Sequence, residues 1–158
     1  MTAGTVIIGM GNRLLSDDGV GIAVADGVGK YFDGRMDVTV SELHTGGIRL
    51  MEAMSGFRRA VVVDAMLSGA PPGTIRRFDQ HTFVTTKNTI SSHDTDFATA
   101  FELGRLVGVH LPEQVSFWGI EAREFDLFSE KFTDEVAAAV STAVRSIAAE
   151  IQEWESAP

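Results

Sequence analysis

The chain has 158 residues, 44% apolar and 22% charged, with a formal net charge of -9 and no cysteine. That length predicts one domain spanning 1–158, since such a chain buries roughly 70% of its unfolded surface in a single core. The absence of cysteine excludes disulfides, thiolate nucleophiles and zinc–thiolate sites, and the acidic balance argues against nucleic acid or anionic membrane as partner, both of which need clustered Lys and Arg.

In chain order, TVIIGM (5–10) reads as a buried strand: short, β-branched and ended by glycine. Residues 18–31 predict a helix with Val20, Ala23, Val24 and Val28 near one face, and MDVTVSEL (36–43) a second strand. TGGIRLMEAMSG (45–56) predicts a short helix carrying Leu50, Met51 and Met54, and RAVVVDAM (59–66) a third, central strand. PPGTIRRF (71–78) follows too soon for a parallel return, which needs a crossover of about a dozen residues, so it predicts an antiparallel strand. Its paired Arg76 and Arg77 suit a sheet edge. A long loop is expected over 79–92, then a helix over 94–108 with Phe97, Phe101 and Leu106 or Val107 inward. QVSFWGIE (114–121) predicts another strand, and 133–155 a long helix with Val136, Val140, Val144, Ile147, Ile151 and Trp154 at helical spacing. The N-terminus lacks a basic stretch ahead of its apolar run, and nothing reaches the apolar length of a transmembrane helix; the expected location is the cytoplasm.

The β-α-β-α-β opening predicts a doubly wound, largely parallel sheet with helices on both faces. In such sheets sites form outside the carboxyl ends of the strands. Asn12 to Asp18 follow the first strand, Glu42 and His44 the second; Asp64 ends the third and Glu121 the last. These carboxylates are therefore expected on one rim.

The stretch GMGNRLLSDDGVG (9–21) resembles a phosphate loop in its front half, but the third glycine of G-x-G-x-x-G is replaced by Leu14 and no Gly-Lys-Ser/Thr follows. Asp17 and Asp18 would repel an anion at the following helix N-terminus. A purely structural role, one of the two capping the helix, accounts for only one aspartate and leaves the other in a crevice. Asp64 could equally cap the turn after its strand. The histidines 44, 81, 93 and 110 read individually as solvated. Consecutive Ser92, His93 and Asp94 cannot form a nucleophile–base–orienter chain, and no G-x-S-x-G elbow occurs. Paired carboxylates could cleave glycosides, yet two Trp and one Tyr offer few sugar platforms.

Two strand-end carboxylates plus one imidazole make a mixed oxygen–nitrogen donor set suited to a borderline divalent cation such as Ni²⁺ or Zn²⁺. Such a site leaves coordination positions open for water or substrate. Glu42 could orient a ligand or act as general base.

GMGNRLLSDDGVG (9–21), ELHTGG (42–47), VVVDA (61–65) followed by PPGT (71–74), SSHD (91–94) and WGIE (118–121) together resemble the nickel–iron hydrogenase maturation endopeptidases, in order and spacing and over nearly the whole chain. The resemblance implies a three-layer α/β/α fold with a twisted five-stranded mixed sheet, order 2-1-3-5-4, strand 4 antiparallel. It implies a hydrolase of aspartate/metal type that removes a C-terminal extension from the hydrogenase large-subunit precursor after nickel insertion. The family's metal positions fall on Asp18, Asp64 and His93. Glu42 stands where the family usually has Asp, and Asn12, Gly46 and Gly47 match crevice-shaping positions that contact substrate. Nickel is expected to arrive with the substrate as its recognition mark, without a tight resident metal: a weak site reports loading because substrate must supply the remaining ligands. A non-proteolytic, metal-dependent checkpoint or chaperone that binds the precursor uses the same ligand set and stands as the alternative.

Overall fold

Strands TVIIGM (5–10) and RAVVVDAM (59–66) carry continuous runs of β-branched residues, the pattern of parallel strands covered on both faces. The computed structural model describes residues 4–79 and 97–158. Along the chain run β1 (Thr5–Met10), a single 3₁₀ turn (Ser16–Gly19), α1 (Val20–Tyr31), β2 (Val38–Leu43), α2 (Ile48–Met54), β3 (Arg59–Met66), β4 (Ile75–Asp79), α3 (Phe97–Leu106), β5 (Gln114–Glu121) and α4 (Asp134–Ser156). The sheet order is β2-β1-β3-β5-β4. β1, β2, β3 and β5 are parallel, and β4 runs antiparallel on β5, pairing Ile75 with Ile120. The antiparallel expectation holds, and its loop-length reason is visible: residues 67–74 form only a turn, with Gly73 N–H donating to the Glu121 carbonyl at 2.9 Å.

Strand alternation sorts the core into two layers. Ile7, Val61, Val63, Ala65, Trp118 and Ile120 face α1 and α4, against Val24, Val28, Ile147 and Ile151. Val6, Ile8, Met10, Val62, Val115 and Phe117 face α2 and α3, against Leu50, Met54 and Phe101. Each fully buried aliphatic side chain contributes about 1.5–3 kcal/mol of transfer free energy.

Helix α1 approaches the sheet so closely that a side chain has no room. A Cβ at Gly21 would lie 2.3 Å from the Val63 carbonyl oxygen and 2.7 Å from that of Met10. Both obstacles are backbone and cannot rotate away. Gly21→Ala is expected to cost about 3 kcal/mol by pushing α1 off β1 and β3, read as a lowered thermal midpoint; an unchanged midpoint would refute the close packing.

Several local expectations change. α1 begins at Val20, after the 3₁₀ turn, and Ala23 is only half-buried while Ile22 and Ala25 are buried. Leu106 and Val107 project outward at 83% and 68% exposure, and α3 buries Ala100 and Phe101 instead. At roughly 100° per residue, positions five and six after Phe101 turn far from its face. Gly104 lies close to that face, and a Cβ there would meet the Met51 sulfur at 3.1 Å. Phe97 and the expected loop are another matter: residues 80–96 and the Phe97 side chain lie outside the described residues. Arg77 on edge strand β4 is not simply solvated. It pairs with the buried carboxylate of Glu150 on α4, which also accepts from Ser116 Oγ at 2.7 Å and Trp118 Nε1 at 2.8 Å.

Candidate active site

The carboxyl ends of the four parallel strands share one edge, and the chain brings its polar motifs there. β1 ends at Met10. Asn12 Oδ1 accepts from Leu14 N–H at 2.9 Å, and the Asn12 carbonyl from Leu15 N–H at 3.2 Å, so the chain reverses tightly. Ser16 then adopts φ 49°, the left-handed region that a non-glycine residue enters at a cost of order 1–3 kcal/mol. Its surroundings hold it there: Ser16 N–H donates to the Ser129 carbonyl at 2.7 Å and Ser16 Oγ to the Lys131 carbonyl at 2.9 Å.

The two aspartates that follow have separate fates. Asp17 is fully buried and accepts from Arg123 N–H and Glu124 N–H, both at 2.9 Å, and from Thr133 N–H and Oγ1, both at 2.8 Å. It ties the segment after β5 to the turn after β1. Neither the 3₁₀ turn nor α1 has a side-chain cap, so the capping role is replaced by this longer-range tether. Asp18, 2% exposed, is buried in the same turn, which packs on β3.

Asp64, 1% exposed, sits opposite Gly119 in the sheet, and its Oδ1 accepts from Ala65 N–H at 2.8 Å. Alternation puts it in phase with Ala60 and Val62, on the α2–α3 face. Glu121 is also buried at this edge, but it is committed to the turn after β3: it accepts from Ser68 N–H, Ser68 Oγ and Gly69 N–H at 2.7–3.1 Å. Among the described residues, no buried side-chain nitrogen or oxygen lacks a hydrogen-bond partner, as the cost of burying unsatisfied polar groups requires.

Glu42 stands apart from Asp64. It is in phase with Val38 and Val40, the latter touching α1 at Gly29, and therefore faces α1. There Arg13 Nε and Nη2 donate to Glu42 Oε2 at 3.1 and 3.0 Å, and Nη2 also reaches Asp26 at 2.8 Å. Arg13's pKa is raised, chiefly by its hydrogen bond to Glu42. Next to this pair, His44 Nδ1 meets the Gly11 carbonyl at 2.7 Å; a carbonyl only accepts, so Nδ1 carries the proton. His44 is thus anchored rather than simply solvated. Sequence reasoning passed over Arg13, because its partners lie on β2 and α1 and leave no local mark.

Gly47 precedes α2 at φ 61° and ψ -131°, a backbone that a side chain strongly disfavours. Gly46, with Ile48, Arg49 and Glu52, lines a groove of about 410 Å³ among the described residues, at the start of α2. His93 lies outside the described residues. Among the described residues no three His, Asp or Glu side chains are grouped to hold a metal ion; of the expected set, Asp18 and Asp64 are described and His93 is not. No helix among the described residues is long and apolar enough to cross a membrane.

Comparison with known proteins converges on one family. The profile of the hydrogenase maturation proteases matches residues 22–150. The hydrogenase expression/formation protein HoxM of Cupriavidus necator is 28% identical over 156 residues, covering 97% of this chain and 76% of its own. HupD of Rhizobium leguminosarum is 24% identical, covering 94% and 74%. Among solved structures, the hydrogenase maturating endopeptidase HybD from E. coli shares the fold with a TM-score of 0.77 at 21% identity, over 95% of this chain and 93% of that one. The [NiFe] hydrogenase maturation protease HybD from Thermococcus kodakarensis aligns at 26% identity and a TM-score of 0.66, over 94% and 98%. The matched profile spans well over half of the chain, and the mixed sheet has the fold of these solved proteases: the chain belongs to the hydrogenase maturation protease family.

Proposed function

We propose that this protein is an endopeptidase that removes the C-terminal extension of a nickel–iron hydrogenase large-subunit precursor once nickel has been inserted, with Asp18, Asp64 and His93 engaging the nickel the substrate carries. The observation that carries the reading is the division of labour within the Asp17–Asp18 pair. Asp17 is saturated by structural hydrogen bonds, while Asp18 shares the carboxyl edge with buried Asp64. Two carboxylates and an imidazole suit borderline Ni²⁺. His93 is four positions ahead of α3 in sequence. The segment after α3 returns to the amino edge, where Glu113 N–H bonds the Arg58 carbonyl, so the first turn of α3 points toward the carboxyl edge. A substrate-borne nickel would polarise the scissile carbonyl or lower the pKa of bound water.

Glu42 takes a supporting place in this scheme. Its carboxylate is held by Arg13 and faces α1, which favours orienting the β1–α1 turn over abstracting a proton. Asn12 shapes the same turn, and the groove lined by Gly46, next to Gly47, would take the extended peptide. Arg13→Ala is expected to leave thermal stability within about 1 kcal/mol, because exposed ion pairs contribute little, and to slow processing roughly tenfold by freeing Glu42. Unaltered processing would remove Glu42 and Arg13 from the scheme.

The decisive experiment incubates nickel-loaded and nickel-free precursor with the purified protein and weighs the products by mass spectrometry. A shortened chain from the nickel-loaded form alone supports the proposal. A stable complex with uncut precursor would instead make the protein a checkpoint, and tight nucleotide binding unaffected by Asp18→Ala would sink the metal reading.

A further inference from the structure

Large apolar side chains stand in water beside the buried carboxylates. Phe128 is 77% exposed, Leu127 58% and Leu14 42%. They are neighbours by backbone pairing. Ser129 N–H donates to the Leu14 carbonyl at 2.9 Å, Ser16 N–H donates to the Ser129 carbonyl at 2.7 Å, and Leu15 bridges Ser129 in parallel. That register sets Leu14 beside Phe128, at the spacing of about 4.8 Å between paired chains. Ser16 opens the 3₁₀ turn that carries Asp18, so the tip is joined by backbone to that turn.

The tip is also rigidly mounted. Asp17 clamps its base at Arg123, Glu124 and Thr133. Glu124 Oε1 accepts from Asp126 N–H at 2.9 Å and Leu127 N–H at 3.0 Å, fixing the turn that presents Leu127. Ordering a loop and then exposing its aromatic residue has no folding benefit. A preorganised aromatic anchor is what a protein interface uses, because little conformational entropy is then lost on binding. Exposed Asp126 and Glu130 flank the pair on a chain of net charge -9.

We propose that Leu14, Leu127 and Phe128 form the docking surface for the folded body of the precursor, and that they seat in an apolar depression rimmed by Lys or Arg. The inference rests on the proposed function for the partner's identity. Its content is separate: recognition of the folded substrate uses this tip in addition to the nickel and the cleaved peptide. Opposite charge at the rim would speed encounter and set orientation, while the aromatic anchor would set the lifetime of the complex.

The test measures binding of intact, nickel-loaded precursor by calorimetry and cutting by mass in parallel, for the wild type, Phe128→Asp and the double variant Asp126→Lys/Glu130→Lys. Phe128→Asp is expected to keep the native melting temperature, since the side chain is mostly in water, and to weaken binding at least tenfold. The charge variant should bind more weakly at low salt and converge on the wild type at high salt. Native affinity in Phe128→Asp overturns the docking surface even if cutting proceeds. Phe128-dependent binding without any cutting keeps the surface and sinks the endopeptidase reading. Sedimentation of the free protein decides a further outcome: a wild-type dimer that Phe128→Asp makes monomeric would assign the tip to a second copy of this chain and overturn the proposal.

Discussion

Asp64→Asn and Asp18→Asn are each expected to abolish precursor processing, by at least a hundredfold, while the protein stays folded. The change is nearly isosteric and keeps an oxygen for existing hydrogen bonds, such as that from Ala65 N–H to Asp64 Oδ1. It removes the negative charge that the proposed encounter with nickel requires. Both positions are buried at the carboxyl edge of the parallel strands, and burial strengthens the interaction of a carboxylate with a cation. His93→Ala should share the phenotype. Mass spectrometry of nickel-loaded precursor, alongside circular dichroism melts, separates the outcomes. Processing by Asp64→Asn at more than a tenth of the wild-type rate would sink the metal-engaging role; loss of the folded state would return the position to structure.

Asp17→Ala is expected to do the opposite: damage stability first. The substitution strands three part-buried backbone donors, at Arg123, Glu124 and Thr133, together with the Thr133 hydroxyl. Leaving such groups unsatisfied costs about 1–3 kcal/mol each at most, and part is recovered by water entry, so a net loss of about 3–5 kcal/mol follows. For a domain of this size that lowers the thermal midpoint by roughly 10 °C. The segment 123–133 should also become protease-sensitive before the rest of the fold. A midpoint unchanged within a degree or two would show that the tether is not what holds this segment. Together the adjacent aspartates make a contrast experiment, with one variant folded and inactive and its neighbour unstable.

Much of the architecture was legible because the signals are local and periodic. The runs in β1 and β3 are continuous and β-branched, and that in β5 is apolar and aromatic; all three suit strands buried on both faces. β4 was readable as antiparallel because the chain between it and β3 is too short for a crossover. The long helix α4 followed from apolar spacing sustained over six turns. The inward face of α3 was misread because Leu106 and Val107 are apolar by type yet lie off the helical face set by Phe101; composition substituted for phase. The site was legible in part. Its residues could be placed at strand ends by the parallel-sheet rule, which put Asp18, Glu42, Asp64 and Glu121 on one edge. What each does there depends on partners far away in sequence.

The sequence by itself determined the positions of the strands, the antiparallel direction of β4, the layers that cover the sheet, the edge on which the acidic residues gather and, through the motifs that carry the resemblance, the strand order and the family. These rest on periodicity, loop length and short motifs, all carried within a few tens of residues. Only the tertiary structure decided which of two adjacent aspartates is structural, why Glu121 is spent on the Ser68–Gly69 turn, that Arg13 holds Glu42 on the α1 face, and that Phe128 stands exposed beside the site. The physical reason is shared by the first three. A carboxylate's role is set by the donors it meets, and here those donors come from segments up to 116 residues away, where no local pattern records them.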